Sequence, residues 1–162
     1  LVQDLALGRE LVAAGHELGN HSYSHARMVL KSQHFIAQEI ERTDRAIRAA
    51  GQTGTIHFRP PYGKKLLGLP WYLSQHKRST IMWDVAPDDS ATRSADQIAA
   101  EVVTGARAGS IVLLHVMHAS RRASLAAVPM ILRALSAQGF RFVSVSDLLR
   151  EHRPADAHRS SL

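Results

Sequence analysis

Apolar residues recur at helical spacing over residues 4–14, and Gly15 stands where such a helix would end, at a position that favours a left-handed backbone. A short strand-like piece, "HELGN", follows. The next helical pattern is long, residues 32–50, and is closed by Gly51. "TIHF" predicts a short strand running into "RPPYG", where Pro60 and Pro61 forbid further strand or helix. A helical piece over residues 66–76 is expected to break at Pro70. "STIMW" predicts another strand, followed by the loop "DVAPDDSATR". "SADQIAAEVVTGAR" predicts a helix that opens with a capping box, Ser94 to Gln97. The unbroken apolar run "SIVLLH" predicts a buried strand. "ASLAAVPMILRALSAQG" predicts a helix ending at Gly139, "RFVSVS" a last strand and "SDLLREH" a last short helix. Strand and helix alternate throughout. That order predicts an α/β protein with parallel strands, as an open sheet or a (β/α) barrel.

The chain has 162 residues and is 45% hydrophobic, enough for one domain with its own core. That domain is expected to fill residues 1–152, leaving "RPADAHRSSL" as a loose polar tail at 153–162. There is no cysteine, so a disulfide or thiolate site is excluded and any metal must sit on His, Asp or Glu. No apolar run approaches the roughly eighteen residues of a membrane span. The first residue is Leu, inside a helical pattern, so a fragment or processed chain is expected. The net charge is +6, but the basic residues are scattered and never form a block of five. No nucleic-acid partner is expected on that evidence.

Four predicted strands deliver ionisable groups at their C-terminal ends. His21 and His25 follow the first, Arg59 the second, and Asp84, Asp88 and Asp89 the third, while His115 closes the fourth. In α/β folds that edge is where active sites form. His21 and His25 are four residues apart, and on a helical turn both imidazoles would reach one ion. Each residue also has a structural alternative. Arg59 can pair with a surface carboxylate, Asp88 and Asp89 can form turns, and His115 can be a hydrogen-bonded core histidine.

With those residues in place, the chain resembles the polysaccharide deacetylase family, carbohydrate esterase family four. "HSYSH" matches its metal-binding His-[Ser/Thr]-x-x-His motif, "RPPYG" its Arg-Pro-Pro-Tyr motif and "SIVLLH" its Leu-x-Leu-x-His motif. The resemblance runs in order from about residue 4 to 150. It implies a distorted (β/α) barrel of parallel strands that removes acetyl groups from glycans with a divalent metal, usually Zn²⁺, with Co²⁺ or Ni²⁺ also suited to such ligands. Carried over residue by residue, it implies His21 and His25 as metal ligands and His115 as the acid that protonates the leaving amine. Asp89 would keep that histidine charged, and Arg59 would orient the catalytic base. Pro61, the Tyr62 backbone N–H and Leu113 would hold the acetylated substrate.

Two departures stand out. The family's Thr-Phe-Asp-Asp motif, source of the base and of a third ligand, is absent. It belongs upstream of Leu1, so the first strand is expected to be missing. Ser90 replaces the Trp of the family's Asp-Trp motif. The chain itself is therefore expected to bind metal weakly and to have little activity. The implied substrates are N-acetylated glycans of chitin, peptidoglycan or exopolysaccharide type, in an extracellular or cell-envelope setting. A non-sugar, even cyclic, amide substrate and a catalytically dead glycan-binding remnant are the competing readings.

Overall fold

The structure is a computed structural model and describes residues 4–152. The polar tail lies outside the described residues. Six helices form: α1 Leu5–Ala13, α2 Gln33–Ala49, α3 Gly68–Gln75, α4 Ala95–Gly105, α5 Arg122–Ala137 and α6 Val145–Glu151, with a 3₁₀ turn at Pro61–Gly63. Contacts divide the chain into two compact units. One is built on the chain up to Met82 and again from Ser144 onward, the other on Trp83–Val143.

In the first unit, the Asp4 carboxylate accepts the Leu7 N–H to start α1, and Ser32 accepts the Phe35 N–H to start α2. Gly15 (φ 85°) and Gly51 (φ 103°) follow those helices in the left-handed region, as their positions in the sequence predict. The buried stripe of α2 is Ile36, Glu39, Ile40, Thr43 and Ile47, recurring at helical spacings of three and four residues. Its forward half packs with Met28, Phe58, Leu69, Tyr72 and Leu73, and Ile47 packs with Leu18, Ala50 and Ile56. Helix α3 begins at Gly68 and runs through Pro70. Pro70 falls in the first turn, where backbone N–H groups have no helical partner to lose, so the expected break does not occur.

The expected strands are reduced to parallel contacts at single residues. Asn20 pairs with Phe58 and Phe58 with Thr80 in the first unit, and Val85 with Val112 in the second. The ladder is regular while it lasts. Asn20 donates to His57 and Arg59 to Asn20 (2.8 and 2.9 Å), while Phe58 donates to Ser79 and Ile81 to Phe58 (3.2 and 2.8 Å). It cannot lengthen past Arg59, because Pro60 and Pro61 have no N–H to donate. The class is α/β, with helices between extended segments that pair in parallel. "RFVSVS" forms no bridge among the described residues. Its Ser144 instead caps α6, accepting the Asp147 N–H, so the helix starts at Val145.

In the second unit α4 packs on α5. Ile98, Ala99 and Val102 of α4 meet Ala127, Ile131 and Leu135 of α5 around Val85. The predicted capping box forms: Gln97 N–H donates to Ser94 Oγ (3.2 Å) and Ser94 N–H to Gln97 Oε1 (3.1 Å). "SIVLLH" is only half-buried along Ile111 to Leu114 and exposed at His115, because Val85 is its one bridge partner among the described residues. Val112 and Leu114 pack toward the helices, so by strand alternation Leu113 and His115 share the opposite face.

Candidate active site

His21 and His25 come together without a helix. Ser22 (φ 65°) and His25 (φ 57°) are left-handed, and the chain between them turns back on itself. Helix α2 builds this turn. Asn20, 1% exposed, donates to the Ile40 carbonyl (2.8 Å) and to Asp44 Oδ1 (2.6 Å), and its own oxygen accepts the Ser22 N–H (2.8 Å). Buried Glu39 accepts the N–H groups of Tyr23 (3.1 Å) and Ser24 (2.8 Å) through Oε2. The His25 N–H closes the turn on Ser22 Oγ at 3.1 Å.

The result is a facing pair of imidazoles, with Nε2 of His25 3.2 Å from Nε2 of His21. Bonds of about 2.0–2.1 Å to one tetrahedral cation would put two nitrogens about 3.3–3.4 Å apart. His21 Nδ1 lies 2.7 Å from the Arg59 carbonyl, which accepts the Nδ1–H and so turns the Nε2 lone pair toward His25. The same separation serves one N–H···N bond from His25 when His21 carries its proton on Nδ1. The pair thus presents two nitrogens at a spacing compatible with one divalent cation, and no group of three or more His, Cys, Asp or Glu able to hold a metal occurs among the described residues.

"RPPYG" forms the adjoining wall. Pro60 and Pro61 are buried, and the 3₁₀ turn places Tyr62 at φ 59° with its side chain outward, 55% exposed. The Tyr62 ring meets the His25 ring edge-on at 4.8 Å, and the Arg27 guanidinium lies 5.3 Å from the Tyr62 centroid. Arg59 is half-buried, donates to the Ile81 carbonyl (3.3 Å), and burial lowers its pKa.

In the second unit the two neighbouring aspartates take different parts. Asp88 is the turn former: its Oδ1 accepts the Ser90 N–H at 3.1 Å. Asp89 is 8% exposed and holds His115. Its Oδ2 accepts the His115 backbone N–H (2.8 Å) and lies 3.0 Å from His115 Nδ1. Ser124 Oγ adds a third bond at 3.3 Å. Arg121 lies 3.6 Å from Oδ1 and donates to the Asp89 carbonyl. Burial works against the Asp89 charge, but the two His115 bonds and Arg121 outweigh it and bring the pKa below the ordinary carboxylate range. His115 is no core histidine, since its side chain is 57% exposed. With Nδ1 on Asp89, Nε2 is the nitrogen left to exchange a proton. Asp84, by contrast, is structural: it accepts from Ile111 N–H (2.7 Å) and Ser110 Oγ (2.8 Å) and pairs with Arg107 (3.2 Å).

Sequence reasoning missed Asn20, Glu39, Arg121 and Ser124. Two carried a readable signal. Glu39 and Ser124 are polar residues on the buried stripes of α2 and α5, and a polar group there needs a partner.

Comparison with known proteins now identifies the class. The sequence model described as polysaccharide deacetylase matches residues 3–81. The peptidoglycan-N-acetylglucosamine deacetylase PgdA of Listeria monocytogenes is 31% identical over 93% of this chain, which spans 31% of that protein's length. A family 4 acetyl xylan esterase of Clostridium thermocellum, solved in complex with a cobalt ion, superposes with a TM-score of 0.83 at 30% identity, over 92% of this chain and 71% of that one. A family pseudoenzyme of Bacillus anthracis superposes with a TM-score of 0.80 at 28% identity, over 91% of this chain and 51% of that one. The chain belongs to the polysaccharide deacetylase family, carbohydrate esterase family four.

Proposed function

We propose that this chain carries the site of a metal-dependent hydrolase that removes acetyl groups from N-acetylated glycans. The observation that carries this reading is the His21–His25 pair, with its Nε2 atoms 3.2 Å apart and His21 Nδ1 held by the Arg59 carbonyl. The two imidazoles would hold a divalent cation, Zn²⁺ first, with Co²⁺ or Ni²⁺ as alternatives. When bound, the cation supplies Lewis-acid polarisation of the acetyl carbonyl.

The other roles are those of this chain's own residues. The Tyr62 N–H, at the apex of its turn, donates to the oxygen that gains charge. Pro61 fixes that turn. Leu113 offers an apolar face to the acetyl methyl. His115 Nε2 gives its proton to the leaving amine, and Asp89 on Nδ1 stabilises the imidazolium beforehand. Arg59 orients a carboxylate base, which, like a third metal ligand, has no family motif in this sequence. Residues 1–152 form the catalytic domain, and their parallel segments belong to a distorted (β/α) barrel.

A second reading has its own support. No group of three or more His, Cys, Asp or Glu able to hold a metal occurs among the described residues, and a pseudoenzyme of the family shares the fold. On that reading the chain binds acetylated glycan without hydrolysing it. The deciding assay is acetate release from N-acetylglucosamine oligomers with and without added Zn²⁺ or Co²⁺. Cation-dependent release, abolished in His115→Ala, supports the enzyme. Oligomer binding without acetate moves the conclusion to the second reading, and neither binding nor release overturns both.

A further inference from the structure

The head of α5 brings two side chains to Asp89. Ser124, fully buried, donates from Oγ to Oδ2 at 3.3 Å. Arg121 stands at the helix N-cap, where its N–H donates to the His118 carbonyl (2.8 Å) and its own carbonyl accepts the Leu125 N–H (3.2 Å). Its backbone is thus fixed on both sides while its guanidinium reaches Asp89.

Arg121 makes two different contacts there. Nη1 donates to the Asp89 main-chain carbonyl, and the same nitrogen lies 3.6 Å from Oδ1. The second distance is too long for a hydrogen bond, so on the carboxylate Arg121 acts by charge. Oδ1 also lies 3.2 Å from His115 Nδ1. One carboxylate oxygen therefore faces both a guanidinium and an imidazole. A carboxylate favours the imidazolium, and a second cation on that carboxylate disfavours it. Other ionisable groups stand on the same elements. Asp88 accepts the Ser90 N–H (3.1 Å), which lowers its pKa first, with Arg93 and Arg121 adding charge. Glu101 of α4 pairs with Arg93 (3.1 Å), His118 Nδ1 meets Ser120 Oγ (2.7 Å), and Arg122 is exposed.

We propose that Arg121 is a positioning residue: it holds the Asp89 main chain and limits how strongly the Asp89 carboxylate favours the His115 imidazolium, so that the proton on Nε2 stays transferable. A general acid works best when it gives up its proton near the operating pH. The inference rests on the proposed function for the role of His115, and adds the residue that sets how readily this acid reacts.

The test follows the His115 ring by NMR titration of the full chain without added cation, beside the pH profile of acetate release. Arg121→Gln keeps a donor for the Asp89 carbonyl and removes the charge. Its His115 midpoint is expected to rise by about 0.5–1 pH unit, a modest shift because the Arg121 side chain is 30% exposed. Arg121→Met, charge-free and similar in length, should give the same rise, and Arg121→Lys should bring the midpoint back toward the native value. A residue that merely props the turn predicts the opposite sign, because Asp89 would then slip from His115 and the imidazolium would lose its partner. A midpoint unchanged or lowered in both charge-free variants, a rise that Arg121→Lys does not reverse, or loss of folding in both overturns the inference. In the acetate assay the alkaline limb, where the acid loses its proton, should move up with the midpoint. A limb that stays while the midpoint moves overturns His115 as the acid but not the charge effect of Arg121. Absence of release counts against the proposed function alone, since the titration needs no substrate.

Discussion

At Asp89 a single carboxylate has four tasks: it accepts the His115 backbone N–H, His115 Nδ1 and Ser124 Oγ, and it faces Arg121. Its lowered pKa sets the sign of a pH effect. A carboxylate depressed on folding contributes stability that is fully present above its unfolded value of about 3.9 and is lost as pH falls through the lower folded value. Urea midpoints measured from neutral pH down to about pH 2 should therefore fall more steeply for the native chain than for Asp89→Asn, which has no charge to lose. Parallel curves would show that Asp89 gains nothing from its partners. In the acetate assay the same variant should be slower by about 10²–10⁴, the usual worth of general acid catalysis. Undiminished release would remove Asp89 from the support of His115. The sequence placed Asp89 and His115 at adjacent strand ends, but Arg121 and Ser124 were hidden. Their approach depends on how α5 packs, and no local pattern encodes that.

Among the elements, α2 does more than fill the core. Its helical pattern was plain in the sequence, as was its closing glycine. Its role in shaping the histidine turn was not, because Glu39 and Asp44 reach residues about twenty positions earlier in the chain. Glu39→Ala removes the acceptor for two backbone N–H groups in a part-buried place, a loss of about 1–3 kcal/mol. Hydrogen exchange should localise it, with the Tyr23 and Ser24 amides exchanging faster than the rest of the unit. Uniform acceleration would mean that Glu39 supports the core alone. A helix end gives a cleaner backbone test. Gly139 follows α5 at φ 86°, and a methyl group there would meet nothing within 4 Å. Gly139→Ala should cost about 1–2 kcal/mol from backbone strain alone. An unchanged denaturation midpoint would mean that the chain relaxes out of the left-handed region.

For the molecule as a whole, the α/β order, the six helices of the described residues and the family were legible in the sequence. The sheet was not, because apolar runs and strand-end charges announce extended segments without saying how far each ladder extends. Pro60 and Pro61 limit one ladder, and Ser144 diverts another segment into a helix cap. The His-x-x-x-His spacing anticipated that the two imidazoles meet, but through another geometry: a helical turn and the left-handed turn built here both bring residues four apart together. A ligand that binds the folded chain alone must raise its melting temperature. Zn²⁺ at about a hundred times its Kd would add about 2.7 kcal/mol. That shift should vanish in His21→Ala, and a melting temperature indifferent to zinc in the native chain would exclude the pair as a cation site. The His21 contact has one more consequence. Its partner is the main-chain carbonyl of Arg59, kept in reach by the pairing of Asn20 with Phe58. No side-chain replacement at position 59 can delete it, so Arg59→Ala isolates the guanidinium and leaves the imidazole tautomer untouched. The Nδ1 contact of His21 is thus inherited from the register of two neighbouring segments.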